Sequence, residues 1–151
     1  MGPVIATHTA YLLVAAVTSA LLLVCVLFHY ESLSVLSRAL LRLPRWQRRR
    51  ILLLIFSVLA LHVAEIWMFG AGYFWLLGQP ETGALIAAAP LSFLDHVYFS
   101  AVVYTTLGLG DITPTGAIRF MTGTEALLGF VMVTWSASFT YLEMQRFWRN
   151  N

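Results

Sequence analysis

Six consecutive residues, Thr106-Leu107-Gly108-Leu109-Gly110-Asp111, have the makings of a cation site built from main chain rather than side chains. Glycine reaches backbone dihedrals that other residues avoid, so alternating glycines let successive carbonyls face one side. A row of such oxygens, repeated around a symmetry axis, can replace the hydration shell of a cation. The residues just before them supply a support. Ser92 with Asp95 three positions later is a capping-box signature, and Pro90 cannot continue an earlier helix. A short helix is therefore predicted over Phe93–Thr105, with Asp95 complementing its positive end. Its negative end points at Thr106, which again favours a cation.

Two carboxylates form the second candidate group. Glu65 and Glu125 each interrupt an otherwise apolar run, where an ionisable group is costly and marks a functional site by default. By helical rise, Glu65 lies about 22 Å beyond Arg50 and Glu125 about 10 Å below Ile118, level with the short helix. The expectation is that at least one of them sits behind the six-residue segment and hydrogen-bonds the short helix. Burial would then make protonation a means of tuning it. The alternative places Glu65 against an aqueous outer vestibule or a neighbouring helix. His62 and Glu65 share one helical face at i, i+3, but two ligands alone are a weak basis for a metal site. His8, His29 and His96 are expected at the membrane interface, with Trp46, Trp67, Trp75, Tyr73 and Trp148 as anchors. Ser136 and Ser138 fit either a cavity lining or helix packing.

The elements that position these residues follow from composition. Of 151 residues, 60% are hydrophobic and 11% charged, against about 25% charged in ordinary globular domains. A soluble fold of this size cannot hide so much apolar surface. The chain is an integral membrane protein. Three stretches can cross a hydrocarbon core about 30 Å thick: Ala10–Phe28, Ile51–Leu77 and Phe120–Leu142. The first has no basic residue before it and no cleavage site after it, so it reads as a retained helix rather than a signal peptide. The thirteen residues Phe93–Thr105 reach only about 20 Å and read as re-entrant. The single cysteine, Cys25, excludes an intrachain disulfide.

All nine basic residues are arginines. Arg38, Arg42, Arg45, Arg48, Arg49 and Arg50 lie between the first two spans, and Arg146 and Arg149 follow the third. The positive-inside rule places these segments in the cytoplasm and the N-terminus outside, in a multi-pass cell-membrane protein. The spacing of Arg38, Arg42, Arg45 and Arg48 faintly resembles a voltage-sensing helix, but Pro44 interrupts it. A basic segment that fixes orientation and attracts anionic lipid head groups at Arg38–Arg50 is the expectation. A net charge of +2 gives no case for nucleic acid.

With these elements in place, Thr106–Asp111 resembles the T-x-G-x-G-D selectivity filter of the potassium channel pore family, the established example of a carbonyl filter. FLDHVYFSAVVYTT is similar to that family's pore helix, and Asp111-Ile112-Thr113-Pro114 to the filter's exit. The resemblance covers roughly Ile51 to Leu142. It implies an all-α membrane protein of three transmembrane helices, a re-entrant pore helix and an extended filter, assembled as a homotetramer because one chain carries one filter. Residues 1–37 would be an extra N-terminal helix, 38–50 the basic segment, 51–142 the pore domain and 143–151 a short cytoplasmic tail.

By that resemblance, K+ is the permeant ion and no other cofactor is implied. The carbonyls of Thr106, Leu107, Gly108 and Leu109 line the ion sites, with the Thr106 hydroxyl completing the innermost. Gly108 and Gly110 provide the backbone geometry, and Asp111 caps the filter behind its outer mouth; from their depth, not from the resemblance, Glu125 and Glu65 are expected to support it. Gly129 falls near the family's hinge glycine, although a small residue for close helix packing is an equal reading. Leu107 and Leu109 stand where the commonest filter has Val and Tyr. Two-pore-domain potassium channels use Leu or Phe at the second of these positions in their second filter, so Leu109 is compatible with potassium selectivity. The function implied is passive potassium conduction rather than catalysis, since neither GxSxG nor HExxH occurs. A weakly selective cation channel and a non-conducting subunit that borrows the pore fold are the alternatives.

Overall fold

The computed structural model describes residues 8–42 and 47–149, in the order α1 (His8–Arg42), α2 (Gln47–Leu77), β1 (Ala84–Ile86), α3 (Phe93–Tyr104), β2 (Thr113–Thr115) and α4 (Ile118–Arg149). Helices α1, α2 and α4 are long and apolar enough to cross a membrane. Their apolar residues face outward as much as inward, as expected where lipid is the solvent. Leu12, Phe56, Leu127 and Phe130 are all exposed on the protomer.

The first helix is much longer than the expected Ala10–Phe28. Its 35 residues would extend about 52 Å, well beyond the hydrocarbon core. No helix breaker occurs between Phe28 and Arg42, so polar residues such as Glu31 and Ser34 are simply carried along the same rod. The basic segment expected over residues 38–50 is therefore divided. Arg38 and Arg42 end α1, while Arg49 and Arg50 lie in the first turn of α2. Pro44, Arg45 and Trp46 lie outside the described residues, as do the side chains of Arg48, Trp148 and Arg149. At this end Ser37 donates to Glu143 at 3.2 Å, and Glu143 pairs with Arg146 at 2.6 Å. The arginines that follow the first and third spans thus share one end of the bundle.

The short helix α3 packs between α2 and α4. Two glycines make that possible. A Cβ at Gly70 would lie 2.8 Å from the Val97 Cα, and one at Gly129 would lie 2.0 Å from the Tyr104 carbonyl oxygen. Gly129 is therefore a close-approach residue, where α4 touches the last turn of α3. Gly129→Ala is expected to destabilise the protein by about 1–3 kcal/mol through overpacking against a main-chain atom that cannot rotate away. Thermal melting of the purified protein in detergent measures this.

Aromatic contacts close the α2–α3 seam: Tyr73 on Phe99 at 5.0 Å and Phe74 on Phe93 at 5.3 Å, both edge-on. Beyond the helices the structure adds an element the all-α expectation lacks. The strands β1 and β2 pair antiparallel, with Leu85 opposite Pro114. Three-residue strands carry too little periodicity to be read from sequence.

Candidate functional site

The support of α3 is local. Ser92, at the N-cap, has extended backbone dihedrals, and its N–H and hydroxyl both donate to Asp95 Oδ2 at 2.6 Å. These bonds hold the Asp95 carboxyl below the usual range, the hydroxyl's contribution being the larger. The helix ends at Tyr104 because the next turn closes on itself. The N–H groups of Leu107 and Gly108 both return to the Val102 carbonyl, at 3.0 and 3.3 Å. That reversal needs a left-handed residue just past the helix end, and Thr106 supplies it with φ of 58°.

Thr106, Gly108 and Gly110 all have positive φ, at 58°, 61° and 80°. Every second residue of the segment is therefore left-handed. Two of the three positions were legible as glycines, but Thr106 was not, because threonine rarely adopts this conformation. Leu107 and Leu109 are 63% and 58% exposed, so the segment lies bare along one side of the protomer. Asp111 returns to α3, accepting a hydrogen bond from the Tyr98 hydroxyl at 2.8 Å. That bond raises the Tyr98 phenol above its usual range.

Glu65 and Glu125 are both fully buried, and each reaches a different turn of α3. Glu125 on α4 accepts from Ser100 at 2.5 Å and from Tyr73 on α2 at 2.6 Å. One carboxylate thus joins three helices. Glu65 on α2 accepts from the Tyr104 hydroxyl and lies 2.8 Å from His29 Nδ1 and 3.2 Å from His62 Nδ1. Tyr104 ends α3 only two residues before Thr106, so this cluster ties the start of the six-residue segment to α1 and α2. Glu65 faces neighbouring helices, not an outer vestibule.

Several expected interfacial residues are buried instead. His29 is fully buried, with Nε2 3.2 Å from Ser136 Oγ on α4. His96 is 7% exposed and bonds the Ser92 carbonyl through Nδ1 at 2.7 Å. Tyr73 is completely buried on Glu125 rather than anchoring an interface. The reason is shared: each has a polar partner in the protein, which offsets the cost of leaving water. Trp67 and Trp75 are exposed, as anchors must be, and His8 is exposed at the start of α1. Ser136 is buried on His29, while the exposed Ser138 donates to the Thr134 carbonyl of its own helix at 3.0 Å.

A family described as ion channel matches residues 51–145. The match takes in most of α2, both strands, α3, Thr106–Asp111 and most of α4, and leaves α1 outside it. No curated protein and no solved structure matches the chain.

Proposed function

Because the chain belongs to this ion channel family, one of small prokaryotic-type potassium channel pore domains, we propose that it conducts K+ passively through a central pore formed by four copies. The observation that carries this reading is the alternation of left-handed backbone at Thr106, Gly108 and Gly110. Reversing the peptide orientation at every second residue brings successive carbonyls to one side, so Thr106, Leu107, Gly108 and Leu109 line a column of oxygen ligands. Helix α3 acts as the pore helix, its C-terminal dipole end adding negative potential at the inner end of that column. Four chains around an axis complete the coordination, as closed symmetry requires when each supplies one strip of ligands. This also covers the exposed flank of Leu107 and Leu109. The protein acts as a conduit and not as an enzyme, with K+ the permeant ion.

In this assembly α2 is the outer helix and α4 the inner helix, and Gly129 seats α4 against α3. The arginine-rich end faces the cytoplasm and anionic lipid, the N-terminus lies outside, and the membrane is the cell membrane. Support for that orientation is the gathering of Arg38, Arg42, Arg49, Arg50 and Arg146 at one end. A weakly selective pore is the second reading, favoured by Leu109, which has no hydroxyl with which to brace the filter against α3.

Flux into vesicles containing the purified protein tests both. Potassium influx well above sodium influx is expected. Equal influx would establish the weakly selective pore, and no influx of either ion would leave a non-conducting subunit.

A further inference from the structure

The cluster around Glu65 lies partly outside the family match and has the composition of a metal site. We infer that His29, His62 and Glu65 bind a divalent transition-metal ion such as Zn2+, joining α1 to the rest of the bundle. Their candidate ligand atoms all lie within 4.8 Å of one another. Two ligands on one tetrahedral zinc ion, each at about 2.0–2.2 Å, stand roughly 3.3–3.6 Å apart. Side-chain shifts of less than about 1 Å therefore bring the three onto a common centre.

Four further observations fit an ion there. The Tyr104 hydroxyl is 2.9 Å from His62 Nδ1 and bonds Glu65, so a further oxygen stands beside the three ligands. Two imidazoles and one carboxylate are the donor set of open zinc sites, where a water completes the tetrahedron. His29 has a hydrogen-bond partner for its second ring nitrogen, Ser136 Oγ at 3.2 Å from Nε2, as an outer shell around a metal-bound imidazole requires. Glu65 is fully buried, with His29, His62 and Tyr104 around its two oxygens. A buried carboxylate so placed gains from a bound cation, since an isolated charge is costly away from water.

The His62 side chain is 14% exposed, which gives an ion a route inward. Each imidazole binds through Nδ1 as the neutral tautomer that carries its proton on Nε2, from which His29 donates a hydrogen bond to Ser136 Oγ. The device has a local mechanical consequence: α1, outside the matched domain, becomes clamped to α2 and to the last residue of α3. The inference goes beyond ion conduction and does not depend on it.

Cobalt(II) is the probe, because its visible absorption reports tetrahedral coordination and needs no ion flux. The full chain in lipid nanodiscs, titrated with Co2+ near neutral pH, is expected to develop tetrahedral cobalt bands. They should saturate near one ion per chain and disappear on adding Zn2+. His29→Asn and His62→Gln are each expected to weaken binding at least tenfold, and Ser136→Ala about tenfold through the lost outer partner. Zn2+ should raise the melting temperature of the parent protein and not that of His29→Asn.

Absence of tetrahedral bands in the folded parent protein would overturn the site, whatever the variants do. So would bands that persist in a folded His29→Asn, His62→Gln double variant. A cluster whose stability responds to pH but not to cobalt would hold a proton instead, and that result also counts against the metal.

Discussion

Alanine at Gly108 or Gly110 is expected to abolish potassium flux while leaving the protomer folded. The two expectations have separate causes. A Cβ built at either position meets no atom within 4 Å in the protomer, so neither glycine is needed for packing. Both have left-handed φ, 61° and 80°, and a side-chain-bearing residue there costs roughly 1–2 kcal/mol. In the proposed tetramer the cost recurs four times, about 4–8 kcal/mol in all, and falls on the one segment where carbonyl direction is the function. The relaxed backbone would turn one carbonyl per chain away from the axis. The measurement is flux into vesicles beside a melting curve. Normal flux in both variants would remove Thr106–Asp111 from the conduction path. Lost flux with no cooperative melting transition would instead indicate a folding defect.

The largest stability effect is expected from Glu65→Leu. Leucine occupies a similar volume but accepts no hydrogen bond, which leaves His29, His62 and Tyr104 buried or half-buried without their shared acceptor. Each stranded donor costs about 1–3 kcal/mol, so the loss is of order 3–6 kcal/mol after partial rearrangement. That is a large share of the 5–15 kcal/mol typical of whole domains. Glu65→Gln keeps one carbonyl acceptor and should lose about half as much. The comparison is made by thermal melting of the purified proteins, with flux measured in whichever variants fold. Flux should fall as well, because Tyr104 positions the turn that sets Thr106. Equal melting temperatures for Glu65→Leu and the parent would mean that the cluster contributes no net stability.

The parts of the site legible in the sequence were those with short-range signals. The Ser92–Asp95 cap and Pro90 fixed the start of α3, because capping is settled within one turn. Gly108 and Gly110 announced their own dihedrals. The pairing of buried carboxylates with α3 was expected for at least one, from depth along the helices alone. Their partners were not legible. His29 and Glu65 are 36 residues apart and Ser136 lies 107 residues from His29. Periodicity in a membrane helix does not say which face meets protein, since both faces are apolar. For the same reason His29, His96 and Tyr73 were expected at an interface and lie inside. The length of α1 was underestimated because hydropathy marks where a helix can cross lipid, not where it stops.

The sequence by itself determined that this chain lives in a membrane, where it crosses, where its short helix begins and which six residues alternate with glycine. Those properties depend on residue type and near neighbours, which no packing arrangement changes. Only the tertiary structure decided that Thr106 shares the left-handed backbone of the two glycines and that Gly129 seats α4 on Tyr104. It alone decided that α1 reaches the turn before Thr106 through His29, Glu65 and Tyr104. These depend on which helix faces meet. In lipid that choice is made by close approach and by the need of buried polar groups for one another, both properties of pairs rather than of positions.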